Sequence, residues 1–141
     1  MDLKEHFNQI MGESVNMALA TGVAAGPNVR VVTFAYSPEK PGRVFFTTFN
    51  GSRKTKEFAE NPRVACMPLP ESPEADVQVR LFGRVQKSDV GMDEVVALIA
   101  RKFPGGADTV KEGGPMMDIY EVCVDEAYVA VGMNPDEKIA F

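Results

Sequence analysis

Apolar residues recur along this chain with two periods, and the alternation between them divides it into short helices and longer strands. Asp2 to Met11 spaces Leu3, Phe7, Ile10 and Met11 as one helical face, so a short amphipathic helix comes first. Val15 to Ala24, small and apolar, reads as a strand, and Gly26-Pro27-Asn28 as a turn. Val29 to Tyr36 is β-branched and aromatic and reads as the second strand. Ser37 to Gly42 has the composition of a hairpin loop, and Val44 to Thr48 is the third strand. Arg53 to Asn61 reads as a helix with Phe58 and Ala59 facing inward, stopped by Asn61-Pro62.

Arg63 to Leu69 is the fourth strand, and the proline- and acid-rich stretch Pro70 to Asp76 is an exposed connection. Val77 to Gln86 alternates apolar and polar, as a half-buried strand does, with Gln78, Arg80 and Arg84 on its polar face. Met92 to Phe103 is the clearest helix, with Asp93-Glu94 in its first turn. Residues 104–115 hold four Gly and two Pro and read as a long loop. Met117 to Val124 and Tyr128 to Met133 are two further strands on either side of Asp125-Glu126, before a short polar tail. Six or seven strands joined by hairpins, with about three flanking helices, predict one mainly β (α+β) domain over residues 1–141: an antiparallel barrel.

Charge singles out one stretch. The chain carries a net −5, which argues against nucleic acid as its main partner. Residues 26–63 nevertheless hold seven cations against three anions. Three of those cations, Arg53, Lys54 and Lys56, fall in the first turn of the helix that follows the Asn50-Gly51 turn. The helix dipole disfavours cations there, and Ser52 stands at the N-cap position. Free N–H groups, a hydroxyl and two or three cations suit an anion, most often a phosphate; a solvated basic turn is the alternative. Arg30 lies inside an apolar strand, either as an outward surface residue or reaching the same anion as Lys54.

The remaining chemistry is sparse. No apolar run approaches the ~20 residues of a membrane span, and the charged N-terminus lacks a signal peptide's apolar stretch, so the expected location is the cytoplasm. Cys66 and Cys123 read as reduced core thiols. His6 is the only histidine, which disfavours a catalytic triad or a histidine metal site. Tyr36, Tyr120 and Tyr128 read as packed strand aromatics rather than as an acid or base, so no catalytic side chain is evident.

Four blocks carry a resemblance: Arg30-Val31-Val32-Thr33; Phe45-Phe46-Thr47; Ser52-Arg53-Lys54 with Asn61-Pro62-Arg63-Val64; and Val77-Gln78-Val79-Arg80 with Gly83-Arg84-Val85. In this order the chain resembles the pyridoxamine 5′-phosphate oxidase-like flavoproteins, the FMN-binding split barrels, over roughly residues 10–130. The resemblance implies FMN as cofactor, its phosphate on Arg30, Ser52, Arg53 and Lys54 and its ring and ribityl chain along Val31, Val32 and Thr33. Phe46 and Thr47 would line it, and Gln78 would reach it from the second chain of a homodimer. It also implies a small-molecule substrate. A flavin-binding or redox-sensing module without turnover, or a related barrel binding a deazaflavin or haem, are the alternatives. The Arg-x-His-x-Arg segment with which true oxidases hold pyridoxal phosphate is missing from the C-terminus, so oxidation of that vitamer is not expected.

Overall fold

The computed structural model describes all residues, Met1–Phe141. Its strands are β1 (Asn16–Val23), β2 (Gly26–Tyr36), β3 (Arg43–Phe49), β4 (Arg63–Pro68), β5 (Val77–Lys87), β6 (Met117–Val131) and β7 (Glu137–Ile139). They lie in the order β3-β2-β1-β4-β5-β6-β7, every pair antiparallel, and β3 pairs with β6 as well. That last ladder closes six strands into a barrel and removes the sheet's open ends. The tail supplies β7, which pairs with Ala127–Val129 of β6 beyond the reach of β3.

Two apolar layers hold the barrel and its helices, and the Phe45-Phe46 pair shows why. Successive strand residues point to opposite faces, so Phe46 enters the barrel while Phe45 lies under the outer helices. The inner core also takes Phe7 and Met11 from α1 (Leu3–Glu13) and Phe58 from α2 (Arg53–Glu60). The outer layer packs Val95 and Ile99 of α3 (Met92–Ala100) and Ala107 and Val110 of α4 (Pro104–Gly113) on Ala35, Phe45 and Ile119. No helix is long and apolar enough to cross a membrane.

Four local expectations need correction. The first hairpin turns at Ala24-Ala25, and Gly26-Pro27-Asn28 belongs to β2, where Pro27 faces Gly22. Proline is tolerated because β2 has only β1 beside it at that end. Residues 104–113 form α4 rather than a loop: Pro104 occupies the first turn, where an N–H has no helical partner, and Ala107 and Val110 share the buried face. Strand β6 runs unbroken through Asp125-Glu126, because a bulge opposite Phe82/Gly83 absorbs Asp125. Gly83 permits that bulge, since a Cβ there would lie 2.2 Å from the Cys123 carbonyl oxygen. Ala59 is exposed, and Glu57 is the buried neighbour of Phe58 instead. Both cysteines are free thiols, Cys66 buried and pushed up to about 12 by that burial.

Candidate functional site

Gly51, at φ +70, turns the chain from β3 into α2 and so sets the basic first turn of α2 beside the end of β3. Ser52 takes the N-cap position, but its hydroxyl does not cap the helix. It lies 2.9 Å from Thr48 Oγ1, and Thr48 is buried. Lys54 Nζ donates to the same Thr48 oxygen at 2.8 Å. No carboxylate lies within ion-pair distance of this half-buried ammonium. Its pKa is lowered, first by burial and then by the charge of Arg30.

Arg30 is not an outward surface residue. It is half-buried, and its strand position is in step with the inward-facing Val32 and Phe34. Its guanidinium pairs with Glu57 and donates through Nη1 to Thr21 Oγ1 at 2.9 Å and to the Leu19 carbonyl at 3.2 Å. Glu57 also accepts from Thr21 Oγ1 at 3.1 Å and from Asn28 Nδ2 at 3.3 Å. Burial pushes the Glu57 carboxyl up, but the Asn28 and Thr21 hydrogen bonds and the Arg30 charge outweigh it and hold the group below its ordinary value. Sequence reasoning missed Glu57. The available signal was a charge beside Phe58 on the inward face of α2, matched by an arginine in inward register on β2.

Lys54 and Thr48, but not Arg30 or Glu57, line a cleft of about 310 Å³ between the outer side of β2 and β3 and the helix α4. Its lining is mixed: the hydroxyls of Thr33, Thr47, Thr48 and Thr109 and the ammonium of Lys54 stand among the apolar side chains of Val31, Val32, Phe49, Phe103, Val110 and Met117. Of the expected residues, Val31, Val32, Thr33, Thr47 and Lys54 meet here, and Ser52 joins them through Thr48. Arg53 is exposed beside them. The Phe46 ring is fully buried in the barrel, 6.0 Å from that of Tyr120, so only its backbone follows this wall. Gln78 is exposed on β5, three strands from β2 in either direction round the barrel. The tyrosines pack as expected: Tyr36 lies in the core, and its hydroxyl accepts from the Gly42 N–H at 3.3 Å. A larger cavity of about 490 Å³ lies elsewhere, over β1, β4 and β5, and contains none of the expected residues.

The sequence matches the family described as pyridoxamine 5′-phosphate oxidase-like over residues 10–136, which includes all four blocks. The chain belongs to that family. No curated protein has a matching sequence. Among solved structures, this oxidase-like chain is similar to HutZ, the haem storage protein of Vibrio cholerae, with TM-score 0.71 and 19% identity over 94% of this chain and 99% of that one. It is similar to a protein from Clostridium acetobutylicum related to general stress protein 26, of the pyridoxinephosphate oxidase family, with TM-score 0.73 and 11% identity over 100% and 97%. A haem binding protein from Mycobacterium smegmatis gives TM-score 0.75 and 18% identity over 99% of this chain but 58% of its own. At these identities the likeness establishes a shared fold.

Proposed function

We propose that this chain is an FMN-dependent oxidoreductase that works as a homodimer. The observation that carries the reading is Lys54, a half-buried ammonium without a carboxylate partner in an otherwise apolar and hydroxyl-lined cleft. A protein stabilised by its own contacts alone would pair or expose that charge. A phosphate monoester would supply the missing anion, and a flat ring suits the apolar side chains of the lining. When bound, FMN supplies the hydride or electron transfer. Lys54 would hold the phosphate, with the Thr48 hydroxyl fixing the direction of Lys54. Thr33 and Thr47 would offer hydroxyls to the polar groups of the cofactor, and Val31 and Val110 would give its ring apolar contact.

A haem reading draws on the haem-binding neighbours, but the donor set of the cleft speaks against it. No His, Cys or Tyr lines it, Met117 is its one soft donor, and His6 belongs to α1. The visible spectrum of the purified protein, with mass identification of what it releases, tests the choice. A flavin spectrum and released FMN are expected; a Soret band or a deazaflavin spectrum would replace the reading. Turnover of a reduced nicotinamide then separates an enzyme from a flavin-binding or redox-sensing module.

The homodimer follows from what one barrel leaves uncovered. Val29 and Val31 on the outer face of β2 are 63% and 59% exposed. Beside β2, across β1, β4 and β5, Ala18, Ala20, Ala65, Met67 and Phe82 line an apolar depression of about 270 Å³. A two-fold contact covers both surfaces at once and commonly buries ~2,000 Å² in an obligate pair. It also gives Gln78 a route to the flavin of the other chain. Light scattering is expected to give twice the 15.4 kDa chain mass. Met67→Glu, outside the cleft, is expected to yield monomers that lose FMN; monomers that bind FMN normally would show that one chain builds the whole site.

A further inference from the structure

We propose that Phe103, a residue outside the four sequence blocks, is the ring-recognising wall of the cleft, and that Gly105 and Gly106 hold its side chain in place. The inference rests on the FMN reading and names the group that would grip the flat part of that molecule. Phe103 sits at the junction of α3 and α4, where its backbone is pinned on both sides. Its N–H donates to the Ile99 carbonyl at 2.8 Å, and its carbonyl accepts from Gly106 at 3.1 Å and Ala107 at 3.2 Å. The ring lies across the two glycines: a Cβ on Gly106 would come within 2.5 Å of Phe103 Cδ2, and one on Gly105 within 3.3 Å of Cε1. So held, the ring lines the cleft and stays 42% exposed.

Stability alone does not explain that arrangement. A large aromatic with a fixed backbone gains most by burial, and Ala107 and Val110 of the same helix are buried. An exposed ring becomes favourable when a second flat apolar surface covers it, since offset stacking adds to the area buried. Continuity with Lys54 in the same cleft narrows the occupant. It must offer both an anion to Lys54 and a flat apolar ring to Phe103, a description that a second protein surface fits poorly and a phosphorylated flavin fits well.

FMN titrations followed by flavin fluorescence and by the visible band test this, on the unsubstituted protein and on Phe103→Leu, Phe103→Trp and Gly106→Ala. Phe103→Leu keeps the apolar bulk and removes the π face. It is expected to weaken FMN binding about tenfold or more and to diminish the shift of the visible band, as loss of one stacking partner does. Phe103→Trp is expected to restore both. Gly106→Ala, which leaves Phe103 present but displaces its ring, is expected to behave like Phe103→Leu and supplies the same reading should the leucine variant fail to fold. Phe103→Leu or Gly106→Ala binding FMN as tightly as the unsubstituted protein, with the same spectrum, would overturn the inference and leave the cofactor reading intact. No FMN binding by the unsubstituted protein would overturn the cofactor reading, and this inference with it.

Discussion

Replacing Arg53 and Lys54 together by alanine is expected to weaken FMN binding by roughly 2–4 kcal/mol, or about 30- to 1,000-fold in Kd. A charge-assisted hydrogen bond contributes about 1.5–3 kcal/mol, and neighbouring groups on one anion do not add in full. The two residues are not equal. Lys54 is half-buried and fixed on Thr48, so its field is little screened, whereas Arg53 is exposed and its share declines with salt. The single Lys54→Ala change is therefore expected to carry the larger part. Riboflavin, which lacks the phosphate, is expected to bind the unsubstituted protein poorly and to be nearly indifferent to either substitution. Equal affinities for riboflavin and FMN would sink the phosphate assignment. The same substitution has a second readout without ligand. Burial already lowers the Lys54 pKa with no carboxylate to offset it, so the cofactor-free variant is expected to unfold at a denaturant midpoint no lower than that of the unsubstituted protein.

Arg43→Met is expected to destabilise the fold by roughly 3–5 kcal/mol, the usual cost of leaving one member of a buried ion pair alone. Arg43 grips Glu121 with two hydrogen bonds, Nε to Oε2 at 2.7 Å and Nη2 to Oε1 at 2.6 Å. The Ser88 hydroxyl adds a third at 2.8 Å, and the Glu121 side chain is only 2% exposed. Pair and partner join β3 to β6 along the ladder that closes the barrel, so the loss falls on the closure itself. The pH dependence gives the prediction a sign. Arg43 first, against the opposing effect of burial and with help from Ser88, holds the Glu121 carboxyl below its ordinary value of 4.5. The unfolded chain therefore binds more protons than the folded one below that value, and this contribution to stability is complete above it and declines as pH falls through the acid range. In the variant, burial acts unopposed by Arg43 and raises the same group. Acid then favours its folded form, and the gap between the two proteins in urea-unfolding free energy is expected to narrow as pH falls toward 4.5. A gap independent of pH would show that Glu121 is not the group left unpaired.

By itself the sequence determined β1 to β5 and the position of the basic helix start. These are local matters, set by side-chain period, by β-branched and aromatic composition, and by turn residues within a few positions of one another. The four blocks also sufficed for the family, because they span most of the chain in a definite order. What failed locally failed where a distant partner decided the outcome. Glycines and Pro104 read as a loop, yet α4 forms because Ala107 and Val110 find Phe45 and Ile119 on the outer face of the barrel. Asp125-Glu126 reads as a break, yet β6 continues because Gly83 on the neighbouring strand lets the bulge fit. Arg30 carries no local sign of its direction. Its inward turn depends on Glu57, 27 positions later, with Thr21 and Asn28 completing the pocket. The cleft itself is tertiary in origin, since its lining comes from β2, β3, α2, the α3–α4 junction, α4 and the start of β6. A buried charge or a cleft exists only through groups far apart in the chain, and no period along a single segment records which distant group will arrive.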